Sequence, residues 1–382
     1  MTVTRSYCDW NASAPILPEA ADAVVRALAL GNPSSVHAEG RAARAAVEVA
    51  RADVAALVGV EPAQVTFTSG GTEAAATILQ PMSEDEVLFI GNAEHPCVLA
   101  GGRYQRDRIG HIPVDSDGRV EISEVDIAVG MRRLDPHQVQ VAVQIANNET
   151  GAITPPETFA HARERGWVVV ADAVQAAGRI DLAPYLPCVD VLFLSAHKIG
   201  GPKGVGAFVT RKDACGVLRP LITGGGQERG MRSGTENVAG IAGFGVAARH
   251  ARANLGEMAR IAALRDRFET GLVGLAADAV VFSAGVPRLP NTSLVAIPGL
   301  VAETALIACD LDGIALSSGA ACSSGKVTRS HVLKAMGIPD ALALSALRVS
   351  FGWSSSDSDV TRLLNSLERQ IARLRTRQPS AA

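Results

Sequence analysis

The chain has 382 residues and a formal net charge of −3; that length exceeds what one small core buries and makes two domains the default. Lys and Arg are scattered and carry no net positive charge, which excludes a nucleic-acid-binding face; no apolar run approaches the ~18 residues that span a membrane. Residues Met1 to Trp10 hold no apolar stretch of signal-peptide length, so a cytoplasmic protein is expected, with neither nucleic acid nor membrane as partner. The cysteines Cys8, Cys97, Cys188, Cys215, Cys309 and Cys322 show no C-x-x-C spacing, so neither a metal site nor a dithiol motif is indicated. In a reducing compartment most are expected as free thiols packed as small hydrophobes.

In chain order, Tyr7 to Pro15 reads as a short extended lead-in, and Pro18 opens a helix to Leu30. From Glu39 to Val58, Val47, Ala50, Val54 and Leu57 recur at spacings of three and four, one face of an amphipathic helix. Val65 to Thr68 is a β-rich run that meets Ser69-Gly70-Gly71-Thr72-Glu73 and turns into a helix. A strand, a Gly-rich turn and a helix start offer free backbone N–H groups to an anion; the same turn capped by Thr72 reads equally as a structural cap.

Val87 to Ile90 is a strand leading to Glu94-His95-Pro96, and Val139 to Ile145 another leading to Asn147-Asn148-Glu149-Thr150-Gly151. A helix from about Pro156 to Arg165 precedes the strand Val168 to Asp172, with Gln175 just beyond it. The apolar run Val189 to Leu194 then reaches Ser195-Ala196-His197-Lys198, where the lysine is either a solvated loop residue or a reactive amine able to form a Schiff base with a carbonyl cofactor. Strands alternating with helices at this spacing predict an α/β fold with a mainly parallel, doubly wound sheet. Ligands bind at the carboxyl ends of such strands, where Gly70 to Thr72, His95, Asn148, Asp172, Gln175 and Lys198 all fall.

The Gly-rich stretch Leu221 to Asn237 predicts a functional loop, and a helical region from Val238 to Leu275 follows. Weaker strands over Val280–Phe282, Thr292–Val295 and Leu347–Ser350, and a final helix with Val360, Leu363, Leu367 and Ile371 on one face, predict a smaller α+β domain. Ser356-x-x-Asp359 is a capping pair for that helix. The expected division is a large domain over 15–255 and a small one from 1–14 and 256–382. The small domain carries a loop, about 316–331, in which Leu316 to Lys326 is small and polar. Cys322 has no apolar neighbours there, and Lys326, Arg329 and His331 favour its thiolate, so it reads as a reactive thiol on a mobile loop.

Taken in order, Thr68-Ser69-Gly70-Gly71-Thr72-Glu73, Glu94-His95-Pro96, Asn147-Asn148-Glu149-Thr150-Gly151, Asp172-Ala173-Val174-Gln175, Ser195-Ala196-His197-Lys198, Gln227 to Thr235 and Ser317 to Gly325 resemble the pyridoxal-phosphate-dependent cysteine desulfurases. These are the NifS/IscS-like members of the class V aminotransferases, and the resemblance runs from about Cys8 to Phe351. It implies fold type I of the pyridoxal-phosphate-dependent transferases. Lys198 is then the cofactor lysine and the base at the substrate α-carbon; Asp172 pairs with the pyridinium nitrogen. Gln175 and Asn148 contact the ring-oxygen side, and His95 stacks on the ring. Gly71, Thr72, Ser195 and His197 hold the phosphate, and Thr235 reaches the phosphate of a neighbouring subunit, which implies a homodimer. Asn148, Arg348 and Asn11 bind substrate, with Arg348 as the carboxylate clamp.

On this resemblance Cys322 takes sulfur from L-cysteine as a persulfide and alanine leaves, with an iron–sulfur scaffold or another sulfur-acceptor protein as partner. A selenocysteine lyase or another class V activity is the alternative, and a non-catalytic sulfur-carrier or scaffold subunit the reading of a different kind. Two departures are visible: Ala320 stands where serine is common, and Asn11-Ala12-Ser13-Ala14 replaces the more usual Asn-Ala-Thr-Thr.

Overall fold

The computed structural model describes residues 5–212, 218–319, 322, 323, 326, 327 and 329–377. Strand β1 (Ser6–Tyr7) opens the chain, and seven strands then build one sheet: β2 (Val65–Thr68), β3 (Val87–Gly91), β4 (Ile109–Ile112), β5 (Val139–Gln144), β6 (Val168–Asp172), β7 (Val191–Ser195) and β8 (Gly206–Thr210). Their order is β2-β8-β7-β6-β5-β3-β4, with β8 antiparallel to both neighbours and the other contacts parallel.

The sheet is buried on both faces, as its near-continuous apolar strands require. Alternate residues go to opposite layers: Val139, Val141 and Val143 face one core with Phe67, Phe89 and Leu192, while Ala142 faces the other with Leu88, Val170 and Phe193. The helix Ala38–Val58 closes the first layer through Ala43, Val47, Ala50 and Val54. It lies against the helix Val238–Ala253, where a Cβ on Gly245 would meet the Ala50 Cα at 2.5 Å; the small pair lets the two helices approach.

A second assembly follows: β9 (Val280–Val281), β10 (Thr292–Ala296), β11 (Ile314–Ala315), β12 (Ser317–Ser318), β13 (Cys322–Ser323), β14 (Lys326–Val327) and β15 (Ala346–Ser350). Its antiparallel sheet has the order β12-β15-β10-β9, and β1 pairs in parallel with β11. Phe268, Val349, Phe351, Leu363 and Leu367 form its core with Cys8 from the start of the chain.

Several expected bounds move. The first helix ends at Ala27, and the region 238–275 is two helices, Val238–Ala253 and Met258–Leu275. Strands β4 and β8 have no counterpart in the sequence reading, because Gly110, His111 and Gly206 dilute the β signal. The stretch expected as a loop over 316–331 contains β12 and the two-residue ladder of β13 and β14. Of that stretch, Ala320, Ala321, Ser324, Gly325 and Thr328 lie outside the described residues, as does Cys215. The pair Ser356 and Asp359 is present, the carboxylate accepting from the Ser356 N–H at 2.8 Å. Among the described residues no helix is long and apolar enough to cross a membrane.

Within the Gly-rich loop, Glu228 and Arg229 both take left-handed backbone (φ 47° and 55°), which non-glycine residues adopt only where surroundings impose it. Here the surroundings are a buried ion pair. Arg51 donates through Nη1 and Nη2 to both Glu228 oxygens at 2.7 Å, and the same carboxylate accepts from the Phe67 N–H. Removing Glu228 leaves the buried Arg51 only the half-exposed Glu48 carboxylate, 3.2 Å from its Nε, so Glu228→Ala should lose about 3 kcal/mol in urea unfolding, the low end for a broken buried pair. The paired change Arg51→Met with Glu228→Leu should lose much less. A loss below about 1 kcal/mol for Glu228→Ala would show that the pair does not hold the loop.

Candidate active site

The carboxyl ends of β2, β3, β5, β6 and β7 open into one cleft. Gly71, Thr72, His95, Asn148, Asp172, Gln175, Ser195, His197 and Lys198 line it together with Ala12, Cys97, Gln144, Ala146 and Val174. The parallel sheet produces this convergence, because each loop leaves its strand on the same edge.

Lys198 closes a single helical turn, Ala196–Lys198, directly after β7. Its Nζ donates to the carbonyls of Asn11 (2.5 Å) and Ala12 (3.0 Å). Desolvation, then the Arg179 and Arg348 cations, bring its pKa down to about 7, so a large share of the amine is unprotonated near neutral pH. Asp172 ends β6; one oxygen accepts from the Val174 N–H at 2.8 Å. Burial raises its pKa to about 6, and among the described residues no cation pairs with it.

His95 caps the short helix Pro96–Leu99, its Nδ1 accepting from the Cys97 N–H at 3.2 Å. An accepting Nδ1 places the proton of the neutral ring on Nε2. The residue as a whole is open to solvent, yet its imidazole is desolvated; that and the Lys198 and His331 charges lower it to about 4. His197, 3.2 Å from Ser13 Oγ, is likewise lowered to about 4 by desolvation and by Lys198.

Beyond β2 the helix Gly71–Ile78 starts from Gly70 (φ 156°) with no side-chain cap. This corrects the reading of Thr72 as a cap: it lies inside the first turn. The backbone N–H groups there are free for an anion. The turn sits tightly on β8, where a Cβ on Gly206 would lie 2.7 Å from the Gly70 carbonyl carbon.

Three expected site residues, Asn11, Arg348 and Thr235, are not in the described lining of the cleft. Asn11 is fully buried; its Nδ2 donates to Thr292 Oγ1 (2.9 Å) and the Asn148 carbonyl (3.2 Å), and its Oδ1 accepts from Asn291. Both polar ends of the side chain are thus engaged, and the residue meets the cleft through its carbonyl, which accepts from Lys198 Nζ and Gln175 Nε2. Arg348, on β15, already pairs with Asp9 at 2.8 Å and donates to the Asn148 carbonyl at 3.2 Å, so a carboxylate clamp would have to share it. Thr235 is exposed and lies away from the lining. For Cys322 the backbone ladder with Val327 is described, and its side chain lies outside the described residues.

Three contributors escaped the sequence reading. Cys97 lines the cleft with its Sγ 3.0 Å from His95 Nδ1, and burial lifts its thiol to about 12, so it is no thiolate; a cysteine two residues after His95 was the available signal. Arg179 is buried and donates to Gln175 and to the Lys198 carbonyl. Glu149 is buried beside Asn148 and accepts from Ser330 Oγ at 2.5 Å. Glu149 lies within the motif Asn147 to Gly151, which carried the signal without a role for it; for Arg179 the sequence in isolation carries none.

The Aminotransferase class-V family model matches residues 6–363. A cysteine desulfurase of Gluconacetobacter diazotrophicus is 41% identical over 98% of this chain and 95% of its own. The solved NifS-like protein from Rickettsia africae superposes with a TM-score of 0.87 at 31% identity, over 97% of this chain and all of that one. A structure described as SspA in complex with cysteine has a TM-score of 0.75 at 27% identity, over 91% of this chain and 99% of the other. The chain belongs to the class V aminotransferase family, whose members depend on pyridoxal phosphate, and its architecture is fold type I.

Burial raises the Glu149 carboxyl from 4.5 to about 7, against the opposing pull of the Ser330 bond and Arg348. A carboxyl raised in the folded state carries no penalty below its unfolded pKa and a growing one as pH rises through its folded pKa. Glu149→Gln should therefore gain stability over the parent at pH 8, on the order of 2–3 kcal/mol, and far less at pH 5. Urea unfolding at the two pH values reads this directly; equal differences at both would contradict it.

Proposed function

We propose that the chain is a cysteine desulfurase, converting L-cysteine to L-alanine with transfer of the sulfur to Cys322. The observation that carries the reading is the set Lys198, Asp172, Asn148 and uncapped helix N-terminus around one cleft, in a chain 41% identical to a cysteine desulfurase over nearly its whole length.

Pyridoxal phosphate fits the residues of this cleft. A buried carboxylate, Asp172, lacks a cation partner among the described residues and suits a protonated ring nitrogen. Asn148 Oδ1 is buried without a hydrogen-bond partner and so has capacity for a ligand donor. The free N–H groups at Gly71 and Thr72, with Ser195 and His197 beside them, suit a phosphate. When bound, this group supplies a carbonyl that captures amines and a ring that withdraws electrons from the substrate α-carbon.

The side chains divide the remaining work. Lys198 offers an amine brought down to about 7, so that it serves near neutral pH as both nucleophile and proton carrier. His95 is neutral with its proton on Nε2, so it presents a donor and keeps positive charge away from the amine. Gln175 and Asn148 orient polar edges of the bound group, and Arg348 with Asn148 receives the substrate carboxylate. The Cys322 thiolate attacks the substrate sulfur. The carbon–sulfur bond breaks with its electrons on carbon, which takes a proton. L-cysteine and one thiol thus become L-alanine and one persulfide, with atoms and electrons balanced.

The persulfide then passes to an acceptor, and an iron–sulfur scaffold or another sulfur-acceptor protein is the proposed partner. The proposed assembly is a homodimer in which Thr235, exposed at the end of the strained Gly-rich loop, serves the neighbouring subunit. The proposed location is the cytoplasm.

Incubating the purified protein with L-cysteine, and assaying alanine and protein-bound persulfide, tests the reading. Cys322→Ala should keep the cofactor absorbance and lose sulfur transfer by at least ~100-fold; Lys198→Ala should lose the covalent cofactor and ~10²–10⁴ in rate. Sulfide release by Cys322→Ala at the parent rate would refute the assignment of that thiol. A parent protein that takes up no pyridoxal phosphate would refute the whole reading.

A further inference from the structure

Arg179 is 7% exposed and, among the described residues, has no carboxylate partner. Its Nη1 donates to the Gln175 carbonyl at 2.9 Å and to Gln175 Oε1, and its Nη2 to the Lys198 carbonyl at 3.4 Å. A buried cation without a counter-ion is costly, and the hydrogen bonds of this one go to two residues of the cleft wall, Gln175 and Lys198.

We propose that Arg179 is a positioning residue for the reaction: its guanidinium fixes which end of the Gln175 amide faces which partner, and it holds a cation against the Lys198 turn. A guanidinium only donates, so the amide oxygen must face Arg179. The Gln175 amide NH₂ is then directed to the Asn11 carbonyl, 3.0 Å away. That carbonyl also accepts from Lys198 Nζ. A flipped amide would set two oxygens against each other there and leave Arg179 facing a donor. The chain Arg179–Gln175–Asn11–Lys198 therefore has one consistent arrangement, and Arg179 sets its polarity.

The charge acts in the same direction. The groups that face the Lys198 amine are the cations Arg179 and Arg348, the carboxylates Asp172 and Asp9, and the imidazoles His95 and His197. Arg179 is the largest charge contribution holding the amine unprotonated. Its own guanidinium is pushed down to about 9, by burial and by Arg348, and so stays charged through neutral pH.

The proposal rests on the reading of Lys198 as the cofactor lysine, and its first test needs no cofactor. In protein freed of pyridoxal phosphate, acylation of Lys198 by acetic anhydride is followed by mass spectrometry against pH. Arg179→Met should raise the midpoint by about one unit, while Arg179→Lys, which keeps the charge, should stay near the parent. The second test uses the loaded enzyme with L-cysteine. Arg179→Met should lower kcat/KM about tenfold, mainly through kcat, and cost clearly less in a Gln175→Ala background, where only its charge on the Lys198 amine is left to lose. Arg179→Lys, lacking the planar fork, should lower kcat with a normal amine midpoint. An unchanged midpoint in Arg179→Met, or an equal cost in both backgrounds, overturns the proposal. If Arg179→Met does not fold, a parent-like kcat for Arg179→Lys does the same. Failure of the parent to bind pyridoxal phosphate would instead sink the Lys198 reading and leave the amine titration to be judged alone.

Discussion

The contact between Lys198 Nζ and the Asn11 carbonyl ties the two sheets of the molecule together at the cleft. Lys198 belongs to the edge of the large sheet. Asn11 belongs to the N-terminal segment, and its other groups are bound to the small assembly: its N–H donates to Ser350 Oγ, and its side chain joins Thr292 and Asn291. One fully buried residue thereby sets where the amine of one core stands relative to β10 and β15 of the other. Gln175 donates to the same carbonyl, so the floor of the cleft is built around an acceptor carried by neither sheet.

That construction explains why the titrating groups of the cleft depart from their ordinary ranges together. Taking Lys198, Asp172, His95 and His197 out of water penalises the charged form of each, and the directions follow: the amine and imidazoles fall while the carboxyl rises. Ion pairs inside the cleft would have cancelled the effect. The pairs are placed elsewhere: Glu228 holds Arg51 under the Gly-rich loop, and Asp9 holds Arg348. The cleft keeps uncompensated charge capacity, which a charged ligand can use.

The sequence made the edge of the large sheet legible because short, near-continuous apolar runs ending in polar residues report strand ends directly. Gly71, His95, Asn148, Asp172 and Lys198 were found that way, and the structure puts them around one cleft. It did not make legible what depends on packing across hundreds of residues. Nothing near Asn11 in sequence announces that its side chain is spent on Asn291 and Thr292. Nothing near Arg179 announces a carbonyl nineteen positions away. Strand β8 was hidden for a related reason: its first residue is Gly206, chosen for close approach to Gly70 rather than for β-propensity.

The same logic limits where Cys322 can act. The strand β12 lies opposite β15, with Ser317 facing Arg348 across the ladder. Just beyond it, a Cβ on Gly319 would stand 2.9 Å from Glu149 Oε2, and Ser330, past the far end of the segment, donates to that same oxygen. Both ends of the stretch that holds the thiol thus meet one carboxylate, adjacent in sequence to the cleft residue Asn148. Three residues of extended chain reach ~10 Å at most, so covalent geometry keeps Cys322 within that radius of Gly319. On the proposed function, the two ends of this stretch, Gly319 and Ser330, fix where its chain departs and returns: beside the Glu149 carboxylate and the ladder of β12 with β15.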